Sequence, residues 1–450
     1  MNILMMTNTY LPHVGGVARS IAAFSQQYRR LGHKVVIIAP TFEGMELSEE
    51  DVVRIPAIQH FNGSDFSVVL PFSGSLNKMI AEFKPDIIHS HHPFLIGSTA
   101  LRIANLYHIP HVFTHHTMYE QYTHYVPGDS RILKKFVIEL ASHYANLCDH
   151  IFVPSESIAA VLQQRQVIKP MSVIPTGVDV AHFQEGSGLG FRMMMNIPKD
   201  AFVVGHLGRL AVEKNIAYLA EAMAIFLQKH THAYSVIVGK GAAEKIILDV
   251  FEKAGVVDRL VMVGVLEDPI LASAYQAMDV FAFASQSETQ GMVLTEAMAA
   301  SVPVIALDAP GVREVVRDQE NGRLLYGATI DDFANVLDEF YRLPKSQVKK
   351  YRHAALATAE AFSLATSAAK ALAIYQQLIT MDSKNRQGHD DLWSGLLPLI
   401  QTEWDLIKSY AESVSTAAFG SGDLLEGSEG AKSHQVNHKH LENKNTNSDL

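Results

Sequence analysis

Residues 280–299 read VFAFASQSETQGMVLTEAMA: an apolar run, a polar loop, then a stretch of helical character opening near Gly291. A strand that is apolar along its length, followed by a short loop and a helix, is the unit of a parallel sheet covered on both faces. Four neighbouring runs repeat the unit: VVGHLG at 203–208, YSVIVG at 234–239, LVMVG at 260–264 and VPVIAL at 302–307. Segments of helical length fit between them, which predicts a doubly wound sheet. The first 180 residues show the same alternation, with NILMMT, a helix over about 17–31, KVVIIAP, DIIHSH, HVFTHH, HIFVPS and SVIPTG. IPTGVD at 174–179 combines Pro and Gly between the two series. The expected fold is therefore α/β, with two Rossmann-like domains facing each other across a cleft lined by strand carboxyl ends.

The chain has 450 residues, 48% hydrophobic and 19% charged, enough for two or three cores and too apolar for global disorder. Lys and Arg number 37 against 47 Asp and Glu, a net charge of −10, so no nucleic-acid partner is expected. Residues 1–170 hold 13 basic and 13 acidic side chains and 13 of the 22 histidines, so the remainder carries all the excess charge. No apolar run reaches the roughly 20 residues that cross a bilayer. No basic stretch precedes the first strand at Asn2, and a cytoplasmic location is expected. Cys148 is the only cysteine, which excludes an internal disulfide and a multi-thiolate zinc site.

The strongest chemical signal lies in SETQGMVLTEAMA, 287–299, whose carboxylates Glu288 and Glu296 stand eight residues apart. With a helix starting near Gly291, Glu288 lies in the loop at its mouth and Glu296 inside it. The N–H groups of Gly291, Met292 and Val293 then have no partner within the helix and, with its dipole, favour a phosphate. A loop carboxylate there accepts hydrogen bonds from sugar hydroxyls, and one further in can hold ribose. An ordinary strand, loop and amphipathic helix with exposed acids has the same spacing. GRLAVEKN at 208–215 adds Arg209 and Lys214 between a strand and a helix, where both cations reach a diphosphate. In TNTYLPHVGGVARS, Gly15 and Gly16 open a helix and allow close backbone approach to a ligand, although a plain turn has the same composition. His116, at the end of the HVFTHH strand, can hydrogen-bond a bound hydroxyl, as can its neighbour His115. His89 and His91 form an HxH arrangement at another strand end, a pattern used by metal hydrolases.

Together these segments resemble the retaining GT-B glycosyltransferases of family 4, the Glu-x7-Glu group that includes glycogen-synthase-like and mannosyltransferase-like enzymes. The resemblance spans roughly residues 1–380, and its most specific element is the spacing met by Glu288 and Glu296. It implies that Glu288 contacts the donor sugar, Glu296 the ribose, and Arg209 and Lys214 the diphosphate, with Gly15 and Gly16 close by. Gln290, Gly291, Met292 and Val293 would line the donor site, and backbone around Val265 and Leu266 would read the base. His116 matches the histidine beside the reacting sugar. Catalytic roles therefore fall to His116, Glu288, Arg209 and Lys214. The implied division is an acceptor domain over 1–177, a donor domain over 178–360 and a helix over 361–382 crossing back to the first domain. A helical extension with Trp393 and Trp404 over 383–419 and a disordered tail over 420–450 follow from composition.

HSHHPFLIG, THHTMYEQYTHY and the Glu-x7-Glu stretch look most like bacterial diacylglycerol glucosyltransferases. His92 and His115 depart from the usual Thr and Tyr. The resemblance implies transfer of glucose from UDP-glucose to a lipid such as diacylglycerol. Arg131, Lys134 and Lys135, among apolar residues in SRILKKFVIELASHYANL, suit contact with an anionic membrane, and equally an ordinary surface helix. The chain contains no Asp-x-Asp pair, so neither a divalent ion nor a cofactor is expected. The alternatives are transfer to a soluble sugar or other small acceptor, a metal-dependent hydrolase using HxH, and a silent nucleotide-sugar sensor.

Overall fold

The computed structural model describes residues 1–12, 15–42, 45, 50–58, 68–69, 74–121, 131–286 and 288–381. The helical extension, the tail and both tryptophans lie outside them. In the first lobe the chain runs through β1 (Asn2–Met6), α1 (Gly16–Arg30), β2 (Lys34–Pro40), β3 (Val52–Ile55) and a short antiparallel pair, β4 (Ala57–Ile58) with β5 (Val68–Val69). It continues through α2 (Gly74–Phe83), β6 (Ile87–Ser90), α3 (Ile96–Tyr107), β7 (His111–Thr114), α4 (Arg131–Leu147), β8 (His150–Val153), α5 (Glu156–Gln164) and β9 (Met171–Val173). The main strands form a seven-stranded parallel sheet in the order β3-β2-β1-β6-β7-β8-β9. Alternate residues of β1 serve opposite faces: Ile3 and Met5 pack with Ile21 and Tyr28 of α1, while Leu4 and Met6 pack with Ile96 and Ala100 of α3.

The second lobe holds α6 (Val180–Gln184), α7 (Gly188–Met194), β10 (Phe202–Leu207), α8 (Ile216–Lys229), β11 (Ala233–Val238), α9 (Glu244–Lys253) and β12 (Leu260–Gly264). After them come α10 (Ile270–Gln276), β13 (Val280–Phe283), α11 (Met292–Ala299), β14 (Val304–Leu307), β15 (Gly322–Leu325), α12 (Ile330–Tyr341) and α13 (Lys345–Ala361). Its six parallel strands lie in the order β12-β11-β10-β13-β14-β15. The order reverses at β1/β6 in one sheet and at β10/β13 in the other, which fixes where each crevice opens. The eleven apolar runs picked out above are strands of these sheets. The edge strands β3 and β15 are not among them, because Arg54 and Arg323 interrupt their apolar pattern.

The helix expected over 361–382 follows α13 across a break. Phe362 ends α13, and Ser363 is extended and caps α14 (Leu364–Thr380) by accepting the Thr366 N–H. The break has a partner. Val178 N–H donates to Phe362 O and Leu364 N–H donates to Val178 O, both at 3.0 Å, so the chain entering the second lobe pairs with the chain leaving it. Gly177 permits this approach, since a Cβ there would stand 2.2 Å from Leu364 Cα. The α14 helix then packs on α1, and its Tyr375 stacks on Phe152 with ring centres 5.7 Å apart.

The cores also enclose histidines. Burial pushes His89, His92 and His111 down to about 3, and His115 and His206 down to about 4, from an ordinary 6.5. The folded chain therefore keeps them neutral while the unfolded chain protonates them as pH drops below 6.5. Their contribution to stability is complete above that value and declines below it, by about 1.4 kcal/mol per pH unit for each group fully protonated only when unfolded. The urea midpoint is accordingly expected to fall steeply between pH 7 and pH 5, before most carboxylates titrate; equal midpoints at the two pH values would contradict this.

Candidate active site

Neighbouring strands at the reversal of the second sheet supply the first pair of groups. β10 hydrogen-bonds β13, so the loop after β10, carrying Lys214, lies beside the loop after β13, carrying Glu288. Lys214 Nζ donates to Glu288 Oε1 at 2.5 Å, and both side chains are only 17% exposed. A pair this sheltered is costly to break from one side, because the remaining charge loses its partner. Arg209, half-exposed, pairs with Glu213. Behind them His206 directs Nδ1 to Ala282 O at 3.0 Å.

The helix predicted to open near Gly291 begins at Met292, with Gly291 as its N-cap at φ 71° and ψ 53°. That left-handed conformation suits glycine, and a Cβ would meet Leu294 Cδ1 at 2.8 Å. No side chain caps this helix, so its mouth, with Met292 and Val293 in the first turn, keeps its dipole uncompensated by a capping group. Glu296 lies one turn further in and is buried. Tyr275 Oη donates to its Oε2 at 2.7 Å, and Arg19 Nη1 of α1 stands 3.9 Å from Oε1. Burial raises the Glu296 carboxyl above its ordinary range, while the Tyr275 hydrogen bond and the Arg19 charge oppose that shift.

The first lobe meets this loop with backbone and histidine. His116, half-buried beyond the end of β7, accepts a hydrogen bond on its carbonyl from Thr289 Oγ1 at 3.0 Å. Its ring Nε2 lies 2.9 Å from His91 Nδ1. Burial lowers both imidazoles, helped by the neighbouring histidines. Gln290 clasps Thr176 from both sides, accepting its N–H at 2.7 Å and donating to its carbonyl at 2.6 Å. Ser155 Oγ donates to Thr289 O at 2.8 Å, and the Glu314 carboxylate accepts the N–H groups of Glu156 and Ser157, each at 2.7 Å. Gly15 caps α1 in an extended conformation, and a Cβ on Gly16 would stand 4.0 Å from Met292 Sδ. The lobes thus meet at Thr289 with His116, Gln290 with Thr176, Met292 with Gly16 and Glu296 with Arg19, and Glu288, paired with Lys214, precedes these contacts in the same loop.

Other expected positions lie apart from these contacts. Val265, just past β12, is 60% exposed, and Leu266 packs against the core of the second sheet. Arg131, Lys134 and Lys135 are exposed in the first turns of α4. Among the described residues no helix is long and apolar enough to cross a membrane.

The metal-hydrolase reading of HxH does not fit the geometry. His89 and His91 do lie side by side, their rings tilted with centres 4.2 Å apart, but both ring nitrogens of His89 are engaged. Its Nε2 lies 2.6 Å from Thr114 Oγ1, and its Nδ1 lies 2.5 Å from Tyr375 Oη of α14. Among the described residues no three His, Cys, Asp or Glu side chains are grouped to hold a metal ion. The departures His92 and His115 are both buried, and His92 Nδ1 accepts the Asn8 N–H at 3.2 Å. Of the histidine pair at 115–116, His116 is therefore the one nearer the cleft.

Sequence reading did not single out Tyr275, Arg19, Thr289 or Thr176. Only Tyr275 carried a usable signal, because a tyrosine on the buried face of a helix calls for a hydrogen-bond partner.

The profile of Glycosyltransferase Family 4 matches residues 14–182, and that of Glycosyl transferases group 1 matches residues 192–356. An alpha-monoglucosyldiacylglycerol synthase of Streptococcus pneumoniae is 29% identical over 73% of this chain and 76% of its own length. One from Acholeplasma laidlawii is 29% identical over 72% and 84% respectively. A GDP-mannose-dependent alpha-mannosyltransferase of Corynebacterium glutamicum is 28% identical over 72% and 76%. Among solved structures, Anabaena HepE in complex with UDP superposes with a TM-score of 0.65 at 18% identity, covering 84% of this chain and all of that one. Sucrose-phosphate synthase of Thermosynechococcus elongatus gives 0.67 at 18% identity over 85% of this chain. With both lobes matched in sequence and the two-sheet architecture shared, the chain belongs to the family 4 and group 1 glycosyltransferases and has the GT-B fold.

Proposed function

We propose that the protein moves glucose from UDP-glucose to a lipid acceptor such as diacylglycerol, with retention of anomeric configuration. The observation that carries the donor half is the sheltered Lys214–Glu288 pair beside the uncapped mouth of α11, facing Gly16 and His116 of the other lobe. In this reading Lys214 and Arg209, with the N–H groups at Gly291, Met292 and Val293, take up charge on the departing diphosphate. Glu288 holds the hexose, Glu296 the ribose, and His116 sits beside the reacting sugar. Val265 and Leu266 offer backbone to the base. The acceptor hydroxyl approaches the face the diphosphate leaves, so no protein nucleophile is needed, and catalysis rests on positioning and charge stabilisation.

The acceptor half is supported by the names of the two relatives at 29% identity reported above, both alpha-monoglucosyldiacylglycerol synthases. The exposed basic residues of α4, Arg131, Lys134 and Lys135, suit an anionic leaflet. A second reading, a mannosyl donor or a soluble acceptor, has support from the GDP-mannose-dependent relatives at 28%. A mass-spectrometric screen of UDP-, GDP- and ADP-hexoses against a lipid extract and soluble sugars separates the two.

Replacing one cation at the diphosphate is expected to remove a stabilising donor worth about 3 kcal/mol, near a hundredfold in rate. Lys214→Ala and Arg209→Ala should each lose transfer at that scale; the half-exposed Arg209 should leave the melting temperature close to the parent's, whereas Lys214→Ala, which strips Glu288 of its partner, should lower it while the protein stays folded at the assay temperature. Full activity in either would contradict the assignment of that residue. Since cations and a helix mouth supply the charge and no Asp-x-Asp pair is present, EDTA should leave the rate unchanged. A rate lost to EDTA and restored by a divalent ion would overturn that proposal. Finally, the protein should sediment with phosphatidylglycerol vesicles more than with phosphatidylcholine vesicles. The triple change of Arg131, Lys134 and Lys135 to Ala should abolish the difference; equal sedimentation of the parent with both would favour a soluble acceptor.

A further inference from the structure

We infer that Tyr275 is a positioning residue for the donor: its hydroxyl holds one oxygen of Glu296 and so presents the carboxylate to the ribose hydroxyls. Tyr275 lies on α10, which packs against α11 from within the second lobe. Its ring is fully buried, edge-on to Phe183 with centres 5.5 Å apart and tilted against Phe281 at 5.8 Å. Such surroundings offer a phenol no water, and the hydroxyl donates to Glu296 Oε2 at 2.7 Å. A carboxylate turns easily about its last bond unless one oxygen is tied. With Oε2 anchored inward, Oε1 is the oxygen on the side of Arg19, whose guanidinium stands 3.9 Å away on the opposite lobe. The anchored oxygen thus belongs to the protein interior, and the other faces the interlobe space, where a ribose diol would donate to it. The hydrogen bond also lowers the Glu296 carboxyl against the upward push of burial, which favours the ionised, acceptor-only form.

The inference rests on the reading of Glu296 as the ribose ligand, and the test separates the two. Tyr275→Phe keeps the ring that packs on Phe183 and Phe281 and removes only the hydroxyl. Parent and variant are compared with UDP-glucose and with its 2′,3′-dideoxyribosyl form, or with the same pair on whichever base the donor screen selects. With the normal donor, Tyr275→Phe is expected to raise KM about tenfold, the scale of one hydrogen bond to a charged group, while kcat changes less than about twofold. With the dideoxy donor the two proteins should be indistinguishable. An unchanged KM for the normal donor, or an equal penalty with both donors, overturns the role of Tyr275. If the parent itself uses the two donors equally well, Glu296 does not hold the ribose, and the reading beneath the inference fails instead.

Discussion

An α-helix that starts without a side-chain cap imposes a constraint on everything around it. The first turn of α11 has no side-chain cap, and it begins from a left-handed glycine that leaves little room for anything else. Free amide groups in such a turn are stabilised by water or by an anion. The surrounding structure is arranged so that the turn is approached closely and from several sides. The Lys214–Glu288 pair flanks it, Gly16 meets Met292 without a side chain between, and the loop before it is tied to the first lobe through His116, Ser155 and Thr176. The helix mouth is therefore held in place by both lobes.

The histidine-rich first lobe shows a related economy. Imidazoles are buried along β6 and β7 behind His116. His89 bridges Thr114 and Tyr375, His111 Nε2 lies 2.8 Å from Ser90 Oγ, and His92 receives the Asn8 amide. A neutral imidazole can both donate and accept within a flat ring, which lets it join strand ends where an aliphatic side chain would strand buried polar groups. The cluster thus fixes the backbone on which His116 stands, and all its members are held neutral by burial.

The architecture was legible because it depends on a repeated local pattern. Central strands buried on both faces are apolar residue after residue, so NILMMT or VFAFAS declares itself without reference to the rest of the chain. The edge strands β3 and β15, carrying Arg54 and Arg323, do not. Lys214, Glu288 and Glu296 were legible for a similar reason, since charge at a strand end or helix mouth is visible in one dimension. Pairing across long separations was not. His89 reads as a metal ligand until Tyr375, nearly three hundred residues away, is seen to occupy its second nitrogen. The clasp of Gln290 on Thr176 and the capping of α5 by Glu314 likewise depend on how the lobes meet, which no local spacing encodes.

The paired crossings at Val178 and Ser363 make the second lobe an insertion in the first, with entry and exit side by side. One consequence concerns synthesis. The ribosome delivers the first sheet early, yet α14, which supplies the Tyr375 ring packed on Phe152 and Tyr28, emerges only after the whole second lobe. Closing that contact joins segments of very large sequence separation, the slow kind in folding. The first lobe is thus completed only after the second has been made, and until then its apolar surface around Tyr28 and Phe152 stands exposed to other nascent chains.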